Sequence, residues 1–332
     1  MESIAISDIE GLSLGHWQDQ ERHTGCTAIL APKGAVASGF FPGFAPALHE
    51  TGVLSPTNPC PRLHALILSG GSAFGLAAAS GAARLLKEKE IGLDTGPIKV
   101  PIVPAAAIYD YPYNLSGGRL PDEESGYEAA KAALAESNSE KIGFKGDRLL
   151  SGPFGAGFSA RSGKLGEPLS SSPSGLGSYG LKIGELKMAA LAVVNPLGSV
   201  VDPLTGRLIS GFRAKDGSLA DREEILLRLR ARFKEASGFF RENTVLVAVA
   251  TNAKLSKVDA YRLAVMASGG IARSVYPSNT LYDGDAVFAL STCDFSEEED
   301  VSWLGGLAAE VVARAILESA LAAAPKTEVE LK

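Results

Sequence analysis

Cysteine is scarce in this chain. There are three, Cys26, Cys60 and Cys293, odd in number and far apart. They form no C-x-x-C pair, so neither a zinc ribbon nor a disulfide framework organises the fold. Histidine is equally thin. All four (His16, His23, His49, His64) fall within the first 64 residues. The G-x-S-x-G match at residues 11–15 therefore lacks the late histidine that an α/β-hydrolase needs, and reads as a turn beside an N-terminal strand. No H-E-x-x-H or comparable spacing occurs, so no catalytic metal is expected. Gly70-Gly71-Ser72 misses the G-x-G-x-x-G register. Gly163-Lys164 lacks the upstream glycine and the following Ser/Thr of a phosphate loop. No nucleotide or other cofactor is expected, and Ser72 reads as the N-cap of a helix that follows a buried strand.

Charge of one sign is also missing. The 38 acidic and 32 basic residues leave a net charge of -6, with no dense Lys/Arg block. Nucleic acid is not an expected partner. The long apolar stretch, 303–323, carries Glu310, Arg314 and Glu318 four apart on one helical face. That is the pattern of an amphipathic docking helix, not of a membrane span. Residues 1–11 show no basic-then-apolar segment, so the expected location is cytoplasmic, without a secretory signal.

What is present is an ordinary globular balance: 332 residues, 45% hydrophobic and 21% charged. Apolar or β-branched runs predict buried strands at 63–68, 98–103, 191–194, 245–251 and 286–292. Helical patterns run over 72–90, 123–136, 219–235, 257–272 and 301–323. Their alternation predicts an α/β protein with sheets covered by helices. Residues 151–180, rich in Gly and Ser, read as loops and turns. Apolar runs resume after them with no shift in composition, which favours one continuous domain over 1–332.

A chain with no late histidine, metal cluster or phosphate loop is either not an enzyme or uses a nucleophile that needs no histidine. A Ser, Thr or Cys at a chain terminus is such a nucleophile, because its free α-amine acts as the base. That amine has a pKa of about 7.7–8.0, suited to neutral pH. The terminus must be made by cleaving a precursor. Residues 241–252, Arg-Glu-Asn-Thr-Val-Leu-Val-Ala-Val-Ala-Thr-Asn, are the best candidate. A helix ends near Ala236, Ser237-Gly238 breaks it, and Asn243-Thr244 sits where the apolar strand begins. On the residues alone a second reading stays open, since β-branched threonine commonly starts a strand.

Asn243-Thr244 followed by VLVAVATNAKLS resembles the junction of the DmpA-type self-processing aminopeptidases and amidases. That family includes β-aminopeptidases and nylon-oligomer hydrolases. Further blocks match in order: 68–76 (LSGGSAFGL), 100–110 (VPIVPAAAIYD), 162–165 (SGKL), 194–198 (VNPLG) and 283–290 (DGDAVFAL). Together they cover nearly the whole chain. The resemblance implies a four-layer αββα sandwich of the N-terminal-nucleophile hydrolase type, as in the distantly similar ornithine acetyltransferases. It implies self-cleavage between Asn243 and Thr244, giving chains 1–243 and 244–332.

The same resemblance assigns roles. Thr244 would be the nucleophile and Asn195 the oxyanion donor. Asp283 and Asp285 would be an acidic pair that orients the threonine. Lys164 would stabilise negative charge or position the junction carbonyl, and Tyr109 would donate into the pocket. Taken alone, Asn195 before Pro196 is a plain turn residue, D-G-D is a hairpin turn, Lys164 is an exposed loop lysine and Tyr109 a half-buried aromatic. Two positions depart from the family: Val245 stands where many relatives have a second threonine, and Asn252 where many have Asp. The implied activity is hydrolysis of amide bonds in small peptides or amino-acid amides through an acyl-enzyme. The implied assembly is a homo-oligomer of processed heterodimers. Acyl transfer to another acceptor, and an uncleaved small-molecule-binding relative, are the alternative functions.

Overall fold

A strand that is apolar on both faces must be covered on both faces. The strands of this protein carry that requirement into four layers. The computed structural model describes residues 1–111, 118–138, 151–166, 170–235 and 243–324. Ten strands form one hydrogen-bonded ladder. They are β1 (Glu2–Ile4), β2 (Ser13–Asp19), β3 (Thr24–Phe40), β4 (Ala47–His49), β5 (Leu63–Ser69), β6 (Ala105–Ala107), β7 (Leu176–Ile183), β8 (Leu186–Asn195), β9 (Thr244–Thr251) and β10 (Ala286–Ser291). Their spatial order is β1-β7-β8-β9-β10-β3-β5-β6-β4, with β2 also on β3. The pairs β9–β10 and β5–β6 are parallel, and the other pairs are antiparallel.

Strand β3 joins two halves of this ladder. Its first half pairs with β2 and β5, its last residues pair with β10, and the register shifts between Leu30 and Ala35. Beyond that shift the two halves pack face to face. Ile29, Leu66 and Leu68 of one half meet Leu191, Leu246 and Phe288 of the other in the inner core. The opposite faces meet helices. The helices are α1 (Ser72–Gly75), α2 (Ala78–Glu88), α3 (Glu123–Asn138), α4 (Arg222–Glu235), α5 (Lys257–Ser274) and α6 (Val301–Ala323). Val245, Val247 and Val249 pack with Leu263 of α5 and Ile316 of α6. Leu30 and Ile67 pack with Leu85 of α2 and Ala130 of α3. The result is the expected four-layer αββα order: helices, half-sheet, half-sheet, helices.

The local signals explain most boundaries. Asp300 caps α6 by accepting from Ser302 and Trp303, and Ser256 caps α5 by accepting from Asp259. Glu310 pairs with Arg314 on its own helix and with Arg273 of α5, so the charged stripe of α6 ties two helices together. Among the described residues no helix is long and apolar enough to cross a membrane.

Four expectations need correction. The run 98–103 is not a buried strand: only Lys99–Val100 pairs, with Leu93–Asp94, and Ile98 is exposed. Pro97, Pro101 and Pro104 remove ladder donors there, and β6 takes the place instead. The helix expected over 72–90 is broken into α1 and α2. Ser72 is not the cap either. Gly71 holds that position in a left-handed conformation, and no side chain caps the helix. The loop reading of 151–180 ends early, because β7 begins at Leu176. Its glycine content misled: a Cβ at Gly177 would lie 1.9 Å from the Ala315 carbonyl oxygen, so close helix packing, not a turn, demands the glycine. The Ser237-Gly238 break lies outside the described residues.

Candidate active site

The site assembles where β8 and β9 meet the segment before β10. Thr244 is the first residue of β9 and is buried, directly across the antiparallel ladder from Asn195. Its hydroxyl donates to the Asn243 carbonyl oxygen at 2.5 Å. The same oxygen accepts the Gly284 N–H at 2.8 Å. The carbonyl of the Asn243–Thr244 peptide thus faces both a hydroxyl and a main-chain donor.

Asp283-Gly284-Asp285 is not a hairpin turn. Asn243 bridges Asp283 in parallel, which extends the β9–β10 pairing backwards past the regular ladder. Residues 43–45 hold the segment from the other side. Phe44 and Ala45 donate to the Asp283 carbonyl at 2.9 and 3.1 Å, and Gly43 donates to the Asp285 carbonyl at 3.1 Å. The two carboxylates then take different donors. Asp283 accepts from the Thr280 N–H (2.9 Å), the Thr280 hydroxyl (2.6 Å) and the Leu197 N–H (3.2 Å). Asp285 accepts from the Val245 N–H (2.7 Å) and the Asn279 N–H (3.3 Å).

Burial pushes both acids up, and the two differ in what opposes it. Around Asp283, the Thr280 and Leu197 donors and the Lys164 ammonium favour the ionised form. Asp285 has only two main-chain donors and feels the charge of Asp283, so it is pushed up to about 8. Like charges this close oppose each other's ionisation, so the two carboxyls titrate as a pair.

Lys164, Asn195 and Tyr109 complete the cluster. Lys164 is buried, not an exposed loop lysine. Its Nζ donates to the Asn195 carbonyl at 2.9 Å. The Asn195 carboxamide accepts the Arg161 N–H at 3.1 Å and donates to the Tyr109 carbonyl at 3.0 Å. The Tyr109 ring lies 5.0 Å from that of Tyr111. All six residues singled out in the sequence therefore belong to one connected set around the 243–244 peptide. The two departures from the family pattern are also accounted for. Val245 lends its N–H to Asp285 and its side chain to the outer core. The Asn252 carboxamide both accepts from the Lys187 N–H and donates to the Glu185 carbonyl, and a carboxylate could not make the second bond.

Sequence reasoning missed the main-chain donors of Gly284 and Leu197, and it missed Thr280 and Asn279. It also left Asp110 without a role. Asp110 is buried, which raises its pKa, and it accepts from Thr24, Gly71 and Ser159. This locks the Gly70-Gly71 turn against the strand end that carries Tyr109. A groove of about 670 Å³ between α5 and α6, lined by residues including Tyr261, Met266 and Asp300, shares no residue with this cluster. Among the described residues no group of three or more His, Cys, Asp or Glu is placed to hold a metal ion.

Comparison with known proteins agrees with this architecture. An uncharacterized aminopeptidase of Mycobacterium tuberculosis is 33% identical, over 97% of this chain and 94% of that protein. A 6-aminohexanoate-oligomer endohydrolase of Paenarthrobacter ureafaciens is 27% identical, over 94% of this chain and 84% of that protein. Among solved structures, the L-aminopeptidase D-Ala-esterase/amidase of Ochrobactrum anthropi superposes with a TM-score of 0.62. It does so at 17% identity, over 96% of this chain and 86% of that one, and it is a variant of the N-terminal-nucleophile hydrolase fold. A protein of Pyrococcus horikoshii superposes with a TM-score of 0.63 at 20% identity, over 98% and 93% of the two chains. The sequence profile of Peptidase family S58 matches residues 5–330. The chain is therefore a member of peptidase family S58, the DmpA-type family, and a hydrolytic enzyme of the aminopeptidase/amidase kind.

Proposed function

We propose that this protein is a self-processing threonine hydrolase that cleaves its own Asn243–Thr244 bond and then hydrolyses amides of small peptides or amino acids. The observation that carries this reading is the 2.5 Å approach of the Thr244 hydroxyl to the Asn243 carbonyl oxygen inside a buried polar cluster. In self-cleavage, Thr244 Oγ1 bonds to the Asn243 carbonyl carbon. The C–N bond breaks, the Thr244 nitrogen takes the proton that the hydroxyl gave up, and an ester links the two chains. Water hydrolyses the ester, leaving an Asn243 carboxylate and a Thr244 with a free hydroxyl and α-amine. That amine then serves as base for attack on substrate amides, through an acyl-enzyme on the same oxygen.

In this reading Asp283 and Asp285 align the strand start through the Leu197 and Val245 N–H groups. Lys164 favours the ionised form of Asp283 and holds the Asn195 carbonyl. Asn195 lies across the ladder from the nucleophile, with its carboxamide fixed on the Tyr109 carbonyl. The processed chains, of 243 and 89 residues, would stay together through the β8–β9 and β9–β10 ladders. Association of these heterodimers into a cytoplasmic homo-oligomer is part of the proposal, and light scattering at micromolar concentration reads it.

Intact-mass spectrometry with N-terminal sequencing tests the cleavage. Thr244→Ala should give an intact, folded and inactive chain, and Thr244→Ser should still process. Aminoacyl-nitroanilides, with and without an acceptor amine, separate hydrolysis from acyl transfer. The panel includes 6-aminohexanoate oligomers, for which the 27%-identical relative is named. A full-length mass that nonetheless hydrolyses amides would refute the mechanism, and an uncleaved, inert chain would favour a binding protein.

A further inference from the structure

We infer that the main-chain N–H of Gly284 is the oxyanion donor of this site, in self-cleavage and again in every later acyl transfer. The inference rests on Thr244 being the nucleophile, as proposed above. When Thr244 Oγ1 bonds to the Asn243 carbonyl carbon, the π pair of the C=O moves onto its oxygen. The donor already seated on that oxygen is Gly284, at 2.8 Å. When the C=O re-forms and expels the Thr244 nitrogen, the charge is withdrawn again. A donor at the oxygen before attack, and fixed there, stabilises the intermediate without reorganising.

The donor is fixed because its whole peptide unit is clamped. The carbonyl of that unit, on Asp283, accepts from both Phe44 and Ala45, while its N–H points at Asn243. Two donors on the carbonyl polarise the amide and strengthen the bond its N–H makes. The flanking side chains are pinned as well, Asp283 on Thr280 and Leu197, Asp285 on Val245 and Asn279.

Space explains why residue 284 is glycine. A Cβ there would lie 2.7 Å from the Ala45 carbonyl oxygen, 2.9 Å from Thr244 Oγ1 and 3.0 Å from Pro46 Cα. Any side chain would press on the nucleophile. Asn195, the oxyanion residue expected from the family, gives one of its two carboxamide N–H groups to the Tyr109 carbonyl in this state. The donor on the Asn243 oxygen that the structure shows beside the threonine hydroxyl is Gly284. Continuity between the two reactions follows from connectivity. The ester formed in self-cleavage and the acyl-enzyme formed from substrate are both acyl groups on Thr244 Oγ1, so the same donor serves both carbonyl oxygens.

The test exchanges residue 284 for glycolic acid in the full-length chain by nonsense suppression. This turns the N–H into an ester oxygen and adds no side chain. Self-cleavage followed by intact mass should slow by about 10²–10³, the range for one oxyanion donor. In the fraction that has processed, kcat on an aminoacyl-nitroanilide should fall in the same range, with KM changed far less. The same exchange at Gly96, whose N–H caps an exposed turn on Asp94, should leave both rates unchanged. Gly284→Ala should stay folded by circular dichroism yet remain uncleaved. Cleavage and kcat within about threefold of wild type in the ester variant would overturn the inference, since one donor is worth far more. A wild-type chain that neither cleaves nor turns over amides would instead overturn the reading beneath it.

Discussion

Asp285→Asn makes the energetics of the acidic pair measurable. The Asp285 carboxyl is pushed from 3.8 up to about 8, first by burial and then by the charge of Asp283. The folded chain therefore keeps a proton that the unfolded chain releases between those values. In that window the folded state binds more protons, so rising pH lowers stability. The contribution is fully present below 3.8, declines up to about 8 and is lost above it. One proton sets the steepest slope at about 1.4 kcal/mol per pH unit. Asparagine cannot titrate. It keeps one acceptor for the Val245 N–H but turns an amide N–H toward that of Asn279, an offset of about 1–3 kcal/mol that does not vary with pH. Urea unfolding of both proteins in a Thr244→Ala background, so that neither is cleaved, gives the difference profile. His16, lowered to about 4 by burial, slopes the opposite way but equally in both chains, and Asp110 likewise cancels. The wild type should lose stability relative to the variant across the window and run parallel to it above. Parallel profiles throughout would refute the claim that burial and Asp283 keep Asp285 protonated.

Three further outcomes follow from the same contacts. Lys164→Met removes the ammonium on the Asn195 carbonyl and the cation that favours ionised Asp283. It should cost about 1.5–3 kcal/mol in urea unfolding and slow the appearance of the cleaved mass, and an unchanged cleavage rate would refute its role. Gly70→Ala puts a Cβ 2.3 Å from Asp110 Oδ2 and 2.4 Å from Thr24 Oγ1, and should destabilise the chain by about 1–3 kcal/mol in thermal unfolding. Lys257→Met leaves the carbonyls of Val53, Asn58 and Cys60 without the ammonium that now donates to them at 2.5, 2.9 and 2.7 Å. It should cost about 1–3 kcal/mol with amide turnover unchanged, because that loop shares no residue with the site.

The helices and central strands were legible because their signals are local. The run 245–251 alternates two apolar faces, and both are buried, Leu246 inward and Val247 toward α5 and α6. Asp300 stops the chain before α6 with its own side chain, so that helix begins where the sequence says it should. Strand β3 was not legible. It was not among the expected strands, and Pro32 and Gly34 sit at the register shift that passes the chain from one half-sheet to the other. Nothing within those residues says that β5 and β10 wait on either side.

Local chemistry was enough to mark which residues are apolar on both faces, where capped helices start, and which chemistry-bearing types recur in the pattern of the family. Those properties depend on covalent chemistry and near neighbours alone. The tertiary structure alone decided what the D-G-D does. The same three residues, taken alone, read as a hairpin turn, and here they run parallel to Asn243, 40 residues earlier in the chain. Burial by distant strands raises Asp285, and a clamp from residues 43–45 aims the Gly284 N–H at the junction carbonyl. Every residue but proline carries an N–H, so a main-chain donor leaves no mark in a sequence. Its chemistry is created by direction and surroundings, and only the folded chain supplies those.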